Sequence, residues 1–227
     1  MKFHKPFHHQ PCLGKAYRRY LRSADAMQFR EEVLKKYTPG TLEKLVFYPQ
    51  VQVRRAAILA LGMIGDFSCQ RTVARVLRDS HGSVVTLAEQ ILPILWKREG
   101  TLEEQRQLQR LTEMVCRGDL LHAVTMASVL MEDSPHFTEF VYQRGMAWFG
   151  LGHYPYALED FQQVLRKNPY HYKAAVLAGH CFMELGQTEE MIWAFRQALE
   201  IHPGLKKSRL PFPQEDMFSA ILKQYKD

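Results

Sequence analysis

At 227 residues, with 46% hydrophobic and 24% charged side chains, the chain has material for one elongated unit or two compact ones. No apolar run approaches the roughly 18 to 20 residues that span a bilayer, and the first twenty residues hold charge and histidine without an apolar h-region, so no secretory signal is expected. The net charge of +6 lies at one end: residues 1–36 carry nine Lys or Arg against Asp25, Glu31 and Glu32, which leaves the remaining 191 residues neutral.

In chain order, residues 1–14, with Pro6 and Pro11, are expected to form a flexible basic, histidine-rich arm. Residues 15–39 supply amino-terminal capping helices. Lys15-Ala-Tyr-Arg-Arg-Tyr-Leu-Arg22 interleaves cations with aromatics, with Tyr17, Tyr20 and Leu21 packed inward, and Ala26, Met27, Phe29, Val33, Leu34 and Tyr37 form a second stripe stopped by Pro39-Gly40. Residues 40–100 repeat at an interval of 31: Leu42, Leu45, Val46, Val53, Ala57 and Leu61 recur as Val73, Val76, Leu77, Val84, Ala88 and Leu92. Residues 101–205 repeat at 34: Gly145, Gly152, Phe161 and Pro169 recur as Gly179, Gly186, Phe195 and Pro203, with Gly118, Ala123 and Pro135 as a weaker preceding copy. The two blocks meet at Glu99-Gly100. Residues 206–227 place Met217, Phe218, Ile221, Leu222 and Tyr225 at helical spacing, as a carboxyl-terminal capping helix would.

Helix pairs follow from the same residues. Gly145 and Gly179 sit mid-helix, where glycine costs about 1 kcal/mol against alanine, so each should serve close approach of a neighbouring helix. Ala157 and Ala198 are the expected small partners, with Phe161 and Phe195 filling the wider spaces. Gly152 and Gly186 fall where a C-cap glycine belongs, and Pro135, Pro169 and Pro203 bar continuation of the helices before them. Pro93 stands inside a predicted helix and should disturb it. The expected fold is all-α, an α-solenoid of stacked antiparallel helix pairs.

These patterns carry resemblances. Residues 138–171 resemble a tetratricopeptide repeat through Gly145, Trp148, Leu151-Gly152-His153-Tyr154, Ala157, Phe161 and Pro169. Residues 172–205 are similar through Gly179, Phe182, Leu185-Gly186, Phe195, Ala198 and Pro203, departing at Thr188 and Met191, and 104–137 is a degenerate copy. Segments 40–70 and 71–100 resemble HEAT-like repeats, most clearly in Val53-Arg54-Arg55-Ala56-Ala57 and Ala60-Leu61-Gly62-Met63-Ile64-Gly65-Asp66.

The tetratricopeptide resemblance implies a groove lined by the first helix of each pair. Carried onto this chain, its positions are Glu139, Tyr142, Met146, Phe149 and Gly150, then Lys173, Val176, His180, Met183 and Glu184. The contact residues expected for a protein or peptide partner are Tyr142, Met146, Phe149, Val176, His180 and Met183, aromatic and methionine anchors suited to an apolar peptide or helix. The carboxyl-terminal helix is the alternative occupant. The implied function is a cytoplasmic scaffold or adaptor that is not an enzyme.

A second reading is binding of nucleic acid or an acidic surface through residues 1–36, with Lys15, Arg18, Arg19 and Arg22 as contacts. A third follows from the occurrence of HEAT-like repeats in bilin lyases, a cofactor-chaperone role. No phosphate loop, G-x-S-x-G elbow, H-E-x-x-H or paired zinc-ligand cysteines are present. His4, His8, His9 and Cys12 carry metal-binding chemistry, but Pro6 and Pro11 keep a helix from aligning them, so neither metal nor cofactor is expected. His122, His153, His171, His180 and His202 fall on repeat surfaces or turns, and most are expected to be solvated. Cys12, Cys69, Cys116 and Cys181 make no C-x-x-C pair and are expected as free thiols.

Overall fold

A computed structural model describes residues 12–207. The expected arm up to residue 11 and the expected cap from residue 208 onward lie outside the described residues. The fold is all-α, with consecutive helices packed in pairs in a solenoid-like manner, and no strand occurs among the described residues. Two compact units divide between Leu95 and Trp96, a few residues before the Glu99-Gly100 joint read from the repeats.

In the first unit, α1 (Cys12–Ser23) packs on α2 (Ala26–Lys36) and α4 (Val51–Ile64), and α3 (Pro39–Leu45) packs on α4. Helix α1 starts inside the segment read as an arm. Its Leu13, Gly14, Ala16 and Tyr17 form the buried face. Leu21, Met27 and Leu34, expected on inward stripes, are exposed, because Tyr17, Phe29 and Val33 already fill the narrow contact between these short helices. The side chain of Asp25 accepts from the Gln28 N–H and caps α2. The short α5 (Gln70–Arg75) follows, then α6 (Gly82–Lys97), which runs through Pro93 without a break. Arg54 is buried, donates to the Tyr48 and Pro49 carbonyls and pairs with Asp79 at 2.7 Å. It thus ties α4 to the turn before α6.

The second unit holds α7 (Leu102–Cys116), α8 (Leu120–Asp133), α9 (Thr138–Gly150), α10 (Tyr154–Lys167), α11 (Tyr172–Glu184) and α12 (Thr188–Ile201), each packed on the next. The boundaries 138, 150, 154 and 167, advanced by 34, become 172, 184, 188 and 201, so α9–α10 and α11–α12 are cut to the same lengths. Gly118, Gly152 and Gly186, at that interval, have φ of 79°, 77° and 72°. The Gly152 and His153 N–H groups donate to the Phe149 and Trp148 carbonyls, and those of Gly186 and Gln187 to Met183 and Phe182. This double bond pattern closes a helix on a left-handed residue.

A Cβ on Gly145 would lie 2.8 Å from Phe161 Cε1, and one on Gly179 would lie 2.7 Å from Phe195 Cε1. The glycines do admit the neighbouring helix, and the atoms that stand nearest belong to the phenyl rings, with Asp160 Cβ at 3.1 Å beside Gly145. Each ring reaches across from the second helix of its pair, and Ala157 and Ala198 are buried in the core.

Candidate functional site

The candidate groove residues occupy matching places in two repeats: Tyr142 with Val176, Met146 with His180, and Phe149 with Met183. Helices α9 and α11 carry them at spacings of three and four, which keeps each set near one helical face. Their burial differs sharply. Met146, Phe149 and Met183 are half-buried. Tyr142 is half-buried too, packed between the Phe161 ring at 6.0 Å and the His171 ring at 4.5 Å. Burial, followed by the charge of Glu139 and the neighbouring Tyr172, pushes its hydroxyl pKa up.

Val176 and His180 are only 4% and 6% exposed. His180 lies edge-on to Phe195 at 5.4 Å and to Phe149 at 6.5 Å. Burial lowers its pKa, so the ring is held neutral. The residues with side-chain surface to offer are therefore Tyr142, Met146, Phe149 and Met183.

Two further positions on this face are otherwise engaged. Glu139 is buried, with Oε1 3.3 Å from His171 Nε2. Gly150 faces α8, where a Cβ would meet Leu120 Cδ1 at 2.8 Å.

His171 is completely buried and sits at the N-cap of α11. Its Nδ1 accepts from the Ala174 N–H at 3.0 Å, which puts the ring proton of a neutral imidazole on Nε2, toward Glu139. The ring stacks on Trp96 at 4.0 Å. His202 is likewise buried, edge-on to Tyr172 at 5.1 Å. His171, His180 and His202 thus depart from the solvated reading. An imidazole can cap a helix or stack in an aromatic cluster, and spacing alone does not distinguish those uses from exposure. Only the place of His171 one residue before α11 could have marked it as a cap.

The basic candidates lie on α1. Lys15, Arg18 and Arg22 are exposed, and none forms an ion pair among the described residues. Arg19 is paired with Glu32 of α2. The first unit as a whole has fifteen Lys and Arg against seven Asp and Glu, a net +8. The second has fifteen against seventeen, a net −2. Of the thiols, Cys69 and Cys181 are buried and Cys12 and Cys116 exposed, and burial pushes the Cys181 pKa up to about 12. Among the described residues no helix is long and apolar enough to cross a membrane.

No protein-family model matches the chain, and no curated protein matches it. The functional reading therefore stands on the residues themselves.

Proposed function

We propose that the chain is a non-enzymatic scaffold of tetratricopeptide type, preceded by HEAT-like repeats, that holds a peptide or helix of a partner protein on the face shared by α9 and α11. The observation that supports this reading is the partial exposure of Phe149 and Met183 at equivalent places in two helix pairs of identical length, with Met146 also partly exposed one turn before Phe149. Flexible thioethers beside an aromatic ring suit an apolar partner surface, and anchors buried at the centre of an interface contribute about 2 kcal/mol or more each. The test is co-purification with the full chain, compared with Phe149→Ala combined with Met183→Ala. The double variant keeps its helical circular dichroism and loses the partner. Equal capture by both proteins refutes this face as the site.

A second reading is favoured by the charge division. A first unit of net +8, with Lys15, Arg18 and Arg22 exposed and unpaired among the described residues, supports contact with a polyanion such as nucleic acid. Binding of that kind weakens steeply with salt because it releases counterions. Titration of a labelled oligonucleotide at low and physiological salt tests it. The expected result is an affinity that falls with salt and falls again in Arg18→Glu with Arg22→Glu; salt-independent or absent binding removes the reading.

A further inference from the structure

Between α10, α11 and α12 the surface opens into a cleft of about 330 Å³, at the lower end of the range typical of ligand sites. Its origin is visible one repeat earlier. There, Arg144 Nε and Nη2 donate to the two carboxylate oxygens of Asp160 at 3.0 and 2.7 Å, and Nη1 donates to Ser128 Oγ at 3.2 Å. A hydrogen-bonded ion pair therefore fills the corresponding space. Advanced by 34, those three places are Ala178, Ala194 and Gln162, and all three line the cleft. Both members of the pair are missing together, so no buried charge is orphaned. What remains at the places of the pair is two alanines, each 2% exposed, at the base of the cleft.

The rim has changed in the same sense. Where the earlier repeat has Glu159 and Lys167, this one has Trp193, 61% exposed, and Ile201. Trp193 thus puts a large apolar ring at the edge of the cleft, on a helix that also carries Glu189, Glu190, Arg196 and Glu200. Where the earlier repeat has Glu132, the rim holds Arg166, which is exposed and has no ion-pair partner among the described residues.

We propose that this cleft is a docking site for a partner peptide that inserts one large apolar side chain between Trp193 and the Ala178–Ala194 floor and places a carboxylate on Arg166. Charge complementarity selects that chemistry: Arg166 is the charged residue of the lining, and everything beneath it is apolar apart from the amides of Gln162 and Gln197. The amides suit the backbone that flanks an anchor side chain. Tryptophan and arginine are also the residue types that concentrate binding energy at interfaces. The site shares no residue with the α9–α11 face, so Phe149→Ala with Met183→Ala leaves it unchanged, and the two proposals fail separately.

The experiment uses the full chain and fluorescein-labelled peptides of three designs: Leu and Phe anchors flanked by Glu, the same anchors flanked by Lys, and the Glu version with Ser in place of the anchors. Anisotropy reports binding, and the part of the tryptophan emission that Trp193→Phe removes reports occupancy. The Glu-flanked peptide binds saturably, the Lys-flanked one about tenfold or more weaker, and the Ser version not at all. Ala178→Arg with Ala194→Asp, which rebuilds the filling ion pair of the earlier repeat, weakens binding by about tenfold or more. Arg166→Glu abolishes the preference for Glu over Lys. Should the double variant melt early, Arg166→Glu and Trp193→Ser, both at exposed positions, carry the test.

Equal binding of the Glu and Lys peptides overturns the proposal, as does undiminished binding by the filled variant. Binding that appears only after Phe218→Asp with Leu222→Asp overturns it in favour of this chain's own residues 208–227. A Trp193 signal that moves with protein concentration alone overturns it in favour of a second copy.

Discussion

Gly145 lies directly against Phe161, so close that a single added carbon would stand 2.8 Å from the ring. Gly145→Ala therefore forces the ring or the helix to move, and overpacking of this kind costs about 1 to 3 kcal/mol. Gly179→Ala, facing Phe195 at 2.7 Å, should cost a similar amount. Gly152→Ala is the useful contrast. Nothing lies within 4 Å of the added carbon there, and the penalty is the left-handed backbone alone, about 1 to 2 kcal/mol. Chemical denaturation of the three variants measures the losses. An unchanged or raised stability in Gly145→Ala would mean that the ring contact does not limit packing.

The ion pair of Arg144 with Asp160 gives a second prediction. Asp160 is almost wholly buried, so Arg144→Ala leaves a carboxylate without its partner and destabilises the protein by about 3 to 5 kcal/mol. Removing both, Arg144→Ala with Asp160→Ala, copies the arrangement at Ala178 and Ala194 and should recover much of the loss. A double-mutant cycle by thermal melting decides the matter. A double variant less stable than Arg144→Ala contradicts the view that the pair is a replaceable filling.

His180 predicts an acid sensitivity. Burial holds its pKa below the ordinary 6.5, so the unfolded chain binds the proton more readily than the folded one. Stability is complete above about pH 6.5 and falls as the pH drops below it, because protonation favours the unfolded state. His180→Gln should flatten that part of the stability profile. Denaturation between pH 7.5 and about pH 5 measures it, and an unchanged slope in the variant would assign the effect elsewhere.

In the first unit, Arg54 satisfies two backbone carbonyls and Asp79 together. Arg54→Met keeps the stem but strands those acceptors, at a cost of about 3 kcal/mol or more. Arg18→Glu, exposed and unpaired among the described residues, should change stability by less than about 0.5 kcal/mol. Urea midpoints of the two variants separate a structural arginine from a surface one.

The helix pairs were legible because their punctuation is local. A glycine that must adopt positive φ and a proline that cannot extend a helix announce themselves at one position, and the interval of 34 multiplied that signal. The side chains of the candidate face were less legible. Repeat register located Tyr142, Met146, Phe149, Val176, His180 and Met183 on their helices, but exposure depends on what packs from neighbouring elements. For Val176 and His180 the neighbours win. The Glu139, His171 and Trp96 cluster was missed because its members lie far apart in sequence and none has a spacing that marks it. The cleft was missed for a related reason: it consists of what Ala178 and Ala194 lack, and alanine on a helix is unremarked until its counterparts are seen joined by hydrogen bonds.

The equal cut of α9–α10 and α11–α12 bears on how this protein tolerates changes in length. Inserting a single residue inside one of these helices turns everything beyond it by about 100° around the axis, carrying Phe161 or Phe195 away from its glycine. Gaining or losing a whole 34-residue segment returns every joint to its place. Viable indels in this half of the gene should accordingly come in complete hairpins or fall in the turns.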